Sequence, residues 1–373
     1  MTTTTTPAPA ARPAVGTWTL TRHGVRTVAV LELRQRVRSS RWKVALVVWF
    51  AVVGVITLLA GGVLTLFDDS AATTDQAGRV LFVVVTALVL GLGLLVTPTL
   101  TSTAVNGDRQ AGTLATLQVT LLSPAEIAAG KLLAAWLSAC AFLVVSLPFF
   151  AIALVMGGVP VATLPRVVLL TALLLAAVCG MGLGWSTLAA RPAGSTVLTF
   201  VTVAALTVFT PVFFGLTYPF LSTTQDVQVY GVTDEYWMAM EDGGEEAATA
   251  VPVCELTVQE RAVARTEWTW WLPAINPFAV VADGAVPASA TGPDDPAAVT
   301  QVLRDLRLGS PDVVDECWVE EDTSAVTGTR GHAGPVWPFG LAVNLLLGAA
   351  GFLVAVRRLR IPQRTLPRGT RVA

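Results

Sequence analysis

The side chains able to do chemistry in this sequence are few and badly spaced for it. His23 and His332 are its two histidines, and they stand too far apart for the His-Glu-x-x-His pattern of zinc proteolysis. No Gly-x-Ser-x-Gly turn presents a nucleophile. The nearest approach to a phosphate-binding loop is Ala125-Glu-Ile-Ala-Ala-Gly130-Lys131-Leu132. It lacks the first glycine and the Ser or Thr that follows the lysine in a true one. Catalysis and ordinary ATP binding by this chain alone are therefore not expected, and no metal, cofactor or nucleic acid is expected on it.

A denser pattern lies between Asn106 and Lys131: Asn-Gly-Asp-Arg-Gln-Ala-Gly-Thr-Leu-Ala-Thr-Leu-Gln-Val-Thr-Leu-Leu-Ser-Pro-Ala-Glu-Ile-Ala-Ala-Gly-Lys. Ala111, Leu114 and Leu117 recur at three-residue spacing, which predicts a short amphipathic helix from Asp108 to Val119. After a break, Ser123-Pro124-Ala125-Glu126 holds the parts of a helix start: Ser at the N-cap, Pro at the first helical position, Glu three beyond the cap. A helix beginning at Pro124 should run on without interruption into the apolar stretch that follows. A surface helix joined to a membrane helix through a capped corner can transmit a push.

The elements that must position this segment follow from composition. Hydrophobic residues make up 53% and charged residues 13%, with a mean hydropathy of +0.65. A soluble domain carries roughly 25% charged residues. The deficit is concentrated in six stretches with no Asp, Glu, Lys, Arg or His: Val44 to Phe67, Val80 to Ala104, Leu132 to Met156, Val167 to Ala189, Ser195 to Leu221 and Pro335 to Val356. About 20 residues suffice for a helix to cross the hydrocarbon. A Leu, Ile, Val or Phe near the centre contributes about −0.3 to −0.6 kcal/mol, against about +2.5 to +3.5 for a charge. The absence of acids in these stretches excludes an aspartyl intramembrane protease, and the absence of any ionisable group argues against an ion-coupled carrier. Asn344 is the most polar intramembrane side chain apart from scattered Ser and Thr.

Both ends are basic. Arg12, Arg22, Arg26, Arg34, Arg36, Arg38, Arg41 and Lys43 precede the first stretch, and Arg357, Arg358, Arg360, Arg364, Arg368 and Arg371 follow the last. The positive-inside rule then places both termini in the cytoplasm. The loops alternate accordingly: Phe67–Arg79 outside, Val105–Gly130 inside, Gly157–Arg166 outside, Ala190–Gly194 inside. Ser222–Gly334 lies outside, with 20 Asp and Glu against five Arg. No cleavable signal peptide is expected, since the first apolar run starts at Val44.

The expected fold is an all-α integral membrane protein. It is a six-helix transmembrane bundle with an N-terminal amphipathic helix and a large extracytoplasmic loop between helices 5 and 6. Residues 1–20 are expected as a disordered tail and 21–43 as a basic amphipathic helix. Residues 44–221 hold helices 1–5 with a cytoplasmic segment at 105–130. The outer loop domain takes 222–334, helix 6 takes 335–356, and a basic tail takes 357–373. The helix at 21–43, with Val28, Leu31, Leu33 and Val37 among arginines, either lies in the headgroup plane against anionic lipid or simply continues into the first span. Cys254 and Cys317, the two cysteines of the outer loop, can bridge in an oxidising compartment; two free thiols are the alternative. Cys140 and Cys179 fall in spans as small packing residues. The stretch from Trp268 to Val281, aromatic and broken by Pro273 and Pro277, either dips into the outer membrane edge or packs under the loop domain.

The inner segment resembles the signature of ABC type-2 export permeases. The matching residues are Asp108-Arg109, Gly112-Thr113-Leu114, Leu117, Ser123-Pro124-Ala125-Glu126 and Gly130-Lys131. The six spans, the basic amphipathic lead-in, the large external loop before the last span and Ile275-Asn276-Pro277-Phe278 within it are also similar. The resemblance runs roughly from Arg34 to Arg358. Ala115 and Leu121 depart from it, standing where the family often has an acidic residue and a proline. It implies that the inner helix docks on a separate ATPase subunit that carries ATP and Mg. It also implies that a second permease copy or paralogue completes the path, and that the direction is export across a bacterial cytoplasmic membrane. The chain itself would then be no enzyme. A reading of another class is a non-transporting membrane sensor or scaffold whose outer loop binds a ligand.

Overall fold

A computed structural model describes residues 16–66, 74–114, 122–242, 253–285, 296–309, 313–317 and 333–360. Among the described residues six helices are long and apolar enough to cross a membrane: Ser40–Val63, Asp75–Gln110, Pro124–Val155, Thr163–Leu188, Pro192–Leu221 and Trp337–Arg358. They coincide with the six uncharged stretches, because a run that cannot solvate its backbone in hydrocarbon must close every amide bond within the helix. The fourth is the most enclosed, with 72% of its apolar window buried, whereas the first and fifth show 22%. Exposed Val47, Leu58, Val197 and Val201 on those two helices are the faces a bilayer would cover.

The chain divides into two compact units. The first comprises 1–159, 171–203 and 344–373. It opens with α1 (Arg22–Arg38), whose N-cap Thr21 accepts from the Gly24 amide. At Ser39 the backbone is extended, with φ −72° and ψ 126°, and α2 (Ser40–Leu66) starts afresh. The amphipathic helix is thus separate from the span and not a continuation of it. Only one side of α1 is enclosed by protein, at Gly24, Val28 and Ala29; Leu31 and Val37 stay exposed. The unit continues with α3 (Thr74–Thr101), α4 (Asn106–Gln110) and α5 (Pro124–Val155). Parts of α6 (Thr163–Leu188), α7 (Pro192–Ala204) and α13 (Trp337–Arg358) complete it.

Within this unit α6 and α13 pack backbone to backbone. A Cβ on Gly180 would strike the Gly348 carbonyl, and one on Gly351 the Gly180 carbonyl. Association of helices in lipid depends on such close van der Waals approach, because water supplies no hydrophobic drive between them. Below this contact Val105, Ile127, Ala128, Leu183, Ala355 and Val356 form a buried cluster. Polar groups are tied off internally: the Trp49 indole donates to Ser146 Oγ at 2.8 Å, and Trp136 to the Ala172 carbonyl at 2.8 Å. Cys179 is fully enclosed and Cys140 half-buried, and Asn344 is buried as well.

The second unit comprises 160–170 and 204–343. In the fifth span a π-helical segment at Ala205–Phe209 separates α7 from α8 (Thr210–Leu221). Pro211 has no N–H to offer the carbonyl four residues earlier, that of Thr207. The Asn276 side-chain amide takes that place, donating to the Thr207 carbonyl at 2.9 Å and to Thr210 Oγ1 at 3.2 Å. Its oxygen accepts from the Phe278 amide at 2.8 Å, capping α11 (Pro277–Ala285) with Pro277 in the first turn. The Trp-rich stretch therefore packs against the fifth span, as α10 (Trp271–Ala274) and α11.

Changing Asn276 to Leu removes its hydrogen bonds to the Thr207 carbonyl and Thr210 Oγ1 and should cost about 1–3 kcal/mol, at about 0.5–1.5 kcal/mol net for each. Thermal unfolding in detergent would show it. The double variant with Pro211→Ala, which restores an amide at that position, should recover part of the loss, and equal destabilisation of the single and double variants would refute this account.

The outer loop is not wholly helical. β1 (Ser222–Val232) pairs antiparallel with β2 (Cys254–Ala264), Ser222 opposite Ala264 and Val232 opposite Cys254. It also pairs in parallel with β3 (Val313–Asp315). Val227 and Val229, two apart on one face of β1, are buried, and so is Tyr230 beside them. α9 (Asp234–Asp242) and α12 (Pro296–Asp305) complete the described part. Cys254 and Cys317 are joined in a disulfide with their Cα atoms 5.9 Å apart. The enclosed carboxylate of Asp283 accepts from the Val336 and Trp337 amides at 2.7 and 2.8 Å and from Arg304. It thereby caps the start of the last span, where a negative charge opposes the helix dipole favourably.

Candidate functional site

The capped corner forms as its residue types require. Ser123 Oγ accepts from the Glu126 amide at 3.0 Å, and Glu126 Oε2 accepts from the Ser123 amide at 2.8 Å, with Pro124 in the first turn of α5. The other carboxylate oxygen, Oε1, has a second client. It accepts from the Thr21 amide at 2.9 Å and from the Thr21 hydroxyl. One buried carboxylate thus serves the N-termini of both α1 and α5. Ser123 Oγ in turn donates to the Thr19 carbonyl at 2.5 Å, and the Ala125 amide donates to the Thr17 carbonyl at 3.3 Å. The ordered backbone accordingly begins ahead of α1, with residues 16–20 in contact with the corner; residues 1–15 lie outside the described residues.

Two glycines allow α1 to come this close. A Cβ at Gly24 would lie 2.6 Å from the Glu126 carboxyl carbon, and one at Gly130 would lie 2.5 Å from Val28 Cβ. One turn further along, Lys131 enters the same interface. Its ammonium meets Glu32 Oε1 of α1 at 2.5 Å and Asp108 Oδ2 of α4 at 2.5 Å, with the Lys131 side chain 1% exposed. A lone ammonium would be prohibitively costly at such burial, so it is stable there only with its two carboxylates. The node joins α1, α4 and α5 through one cation.

α4 has further anchors. Ser186 Oγ of α6 accepts from the Val105 and Asn106 amides at 2.9 and 3.3 Å and faces Asn106 Oδ1 at 3.1 Å. Arg36 Nη2 donates to the Leu100 carbonyl at 3.0 Å, one of the carbonyls left without a helical partner at the end of α3. Burial pulls the Arg36 guanidinium below its ordinary pKa, and the nearby Glu32 opposes this.

The helix expected from Asp108 to Val119 is interrupted: α4 ends at Gln110, Thr113 and Leu114 are helical again, and the remainder of the expected range lies outside the described residues. At the break Gly112 has φ +71°, a left-handed geometry that glycine adopts without steric cost and that ends helices. Leu114 then turns inward onto Val105, Ile127 and Ala355. Residues 115–121, including Ala115, Leu117 and Leu121, lie outside the described residues.

The candidate coupling residues therefore divide into two groups. Asp108, Leu114, Ser123, Pro124, Glu126, Gly130 and Lys131 are partly or wholly enclosed and engaged within the chain, whereas Arg109, Gly112 and Thr113 are exposed at the turn. Sequence reasoning missed Thr21, Gly24 and Glu32 as their partners. One signal was present: Glu32 is the single acid between Arg22 and Lys43, which marks it for a cation elsewhere. Among the described residues no group of His, Cys, Asp and Glu could hold a metal ion.

What the site offers is mechanical. A short exposed turn is fastened through buried charge and shared caps to a surface helix and to the start of a span. Residues 26–284 match the family model described as ABC-2 family transporter protein. Comparison with curated proteins gives no significant match.

Proposed function

This chain belongs to the ABC-2 transporter family, and from that premise we propose that it is the permease of an exporter driven by a separate ATPase chain. As a family member it is a multi-pass membrane subunit of an ABC transporter and not itself a catalyst. ATP and Mg belong to the partner in this reading. Both basic ends face the cytoplasm of a bacterial cell, and a second permease copy or paralogue completes the path.

The observation that carries the coupling is the Lys131 node. Among the described residues of the inner segment, Arg109–Thr113 are exposed. This turn is continuous with α4, and α4 is held to α1 and α5 by Asp108, Lys131 and Glu32. When the ATPase pair closes on ATP, a displacement of the turn reaches α1 and the third span together, because the intervening contacts are short, buried and charged. A packed junction of this kind moves as a body rather than deforming continuously.

The test is a pull-down of the tagged chain from its own membranes in mild detergent, beside the variant Arg109→Glu/Thr113→Glu. Both positions are exposed, so the variant should unfold at the parent's temperature. Recovery of a P-loop ATPase with the parent should fall at least about tenfold with the variant, the size expected for central interface residues. Undiminished recovery would move the docking surface elsewhere. No ATPase with either chain, in a complex shown to survive detergent, would favour the sensor or scaffold.

A further inference from the structure

A cleft of about 610 Å³ opens in the first unit between the end of α1, the first half of α2 and the end of α3, a size typical of sites for small molecules. Arg36, Ser39 and Arg41 line one end; Trp42, Trp49 and Val52 of α2, with Leu92 and Val96 of α3, form the walls beyond. None of its described lining residues is Asp or Glu. Arg36 has one nitrogen committed to the Leu100 carbonyl, while its Nη1 is buried with no hydrogen-bond partner among the described residues. A buried donor on a cationic group left unpaired is costly. Its geometry suits an oxygen anion, for which guanidinium offers a planar fork.

The other end is apolar. From Ser40 to Val52 the helix rises about 18 Å at 1.5 Å per residue, and half of the hydrocarbon core is about 15 Å. The cleft thus begins beside arginines next to the Ser39 break and extends along α2 to the depth of a single leaflet. Val48 and Val52 remain exposed along it, and Trp49 is fixed by its bond to Ser146 and by the Phe142 ring at 5.0 Å. One end binds an anion and the other an alkyl chain.

We propose that this cleft is a binding site for an anionic phospholipid of the leaflet in which α1 lies. The phosphate sits between Arg36 and Arg41, and one acyl chain runs along Trp49 and Val52. A zwitterionic headgroup is disfavoured because none of the described lining residues is a carboxylate that could answer its ammonium. The bound lipid completes the donor set of Arg36, whose other half caps α3, so occupancy holds the end of α3 in the geometry from which α4 departs. The inference stands on the geometry of α1 to α3 and does not depend on the ATPase reading.

Native mass spectrometry of the full-length protein in detergent tests it, with dioleoylphosphatidylglycerol, dioleoylphosphatidylcholine and glycerophosphoglycerol as probes. The parent should retain phosphatidylglycerol at least about tenfold better than phosphatidylcholine, the discrimination a single charge-assisted hydrogen bond can supply. Arg41→Gln and Arg36→Gln/Arg41→Gln should abolish that preference. Val52→Trp, which fills the apolar end and keeps both arginines, should lower phosphatidylglycerol retention by a similar factor. Arg26→Gln/Arg34→Gln, an equal loss of charge on α1 outside the cleft, should leave it unchanged.

Arg36→Gln removes a cap, so Arg41→Gln alone keeps the test decisive if the double variant unfolds. Equal retention of the two lipids, or loss of preference in the Arg26/Arg34 control, would overturn the site. Displacement of lipid by equimolar glycerophosphoglycerol would show that the headgroup alone is bound. A dimer that dissociates in Val52→Trp, with no lipid retained by the parent, would assign the cleft to a second copy instead.

Discussion

Replacing Lys131 with Met should lower the stability of the first unit by about 3–5 kcal/mol, the cost of removing one partner from a buried ion pair. The alkyl volume is nearly kept, so packing contributes little. The loss comes from Glu32 and Asp108, which face one another across the vacated ammonium with side chains only 19% and 29% exposed. Like charges so placed repel, and the Arg36 guanidinium near Glu32 offsets only part of that repulsion. Thermal or denaturant unfolding of the purified protein in detergent would read the change. The sharper measurement is the triple variant Lys131→Met/Glu32→Gln/Asp108→Asn. Neutralising the whole node removes the repulsion, and stability should return to within about 1–2 kcal/mol of the parent. If the single variant is as stable as the parent, the node does not hold these helices together. If the single variant is destabilised and the triple variant equally so, the loss is one of shape and not of charge. In the coupling reading, the triple variant should still bind the ATPase yet show impaired transport, because α4 would then be fastened to α1 and α5 by apolar packing alone.

Cys254→Ser should destabilise the outer sheet by about 4 kcal/mol, from the chain entropy of closing a long loop. The bridge spans a sequence separation of 63. Its local role is plain from the strand order. β2 and β1 share an eleven-residue antiparallel ladder, but β3 contributes only Val313–Asp315 to the sheet. Such a short parallel edge strand is weak on its own. The bridge holds the chain after β3 at the start of β2; the neighbouring Glu316 also pairs with Arg261 at 3.1 Å, but that salt bridge is exposed and worth little. Limited proteolysis should therefore cut the segment from 296 to 317 much faster in Cys254→Ser, and equally fast in the parent after reduction. The first unit contains neither cysteine, so its unfolding should not change. Unaltered protection in the reduced parent would show that the ladder alone maintains the sheet.

The parts of the molecule that obey short-range rules were legible in advance. The six spans follow from runs without charge, because one ionised group costs more than several aliphatic side chains return. The start of α5 at Pro124 followed from Ser123, Pro124 and Glu126, since an N-cap, a first-turn proline and a reciprocal Glu lie within one turn of each other. The interruption at Gly112 could not be read from apolar spacing. Three-residue periodicity runs straight through it, but the left-handed backbone there separates α4 from the helical residues Thr113 and Leu114. The strands of the outer loop were overlooked, although Val227 and Val229 alternate with polar residues. The acidity of the whole loop hid a short pattern whose meaning depends on β2, more than twenty residues further on.

By itself, then, the sequence determined the membrane architecture, the capped corner and the scarcity of ionisable groups in the spans, all of which are properties of a residue and its near neighbours. Tertiary structure alone decided what the polar groups at the corner do. Glu126 caps its own helix and also that of Thr21, 105 residues away, and Lys131 meets Glu32 at a separation of 99. Asn276 supplies the hydrogen bond that Pro211 denies to Thr207, 69 residues earlier. Hydropathy and capping are energies of local chain conformation and can be read along a line. A buried charge or an orphaned carbonyl is satisfied by whichever group the fold brings within about 3 Å, and which group that is depends on the packing of helices that sequence spacing does not encode.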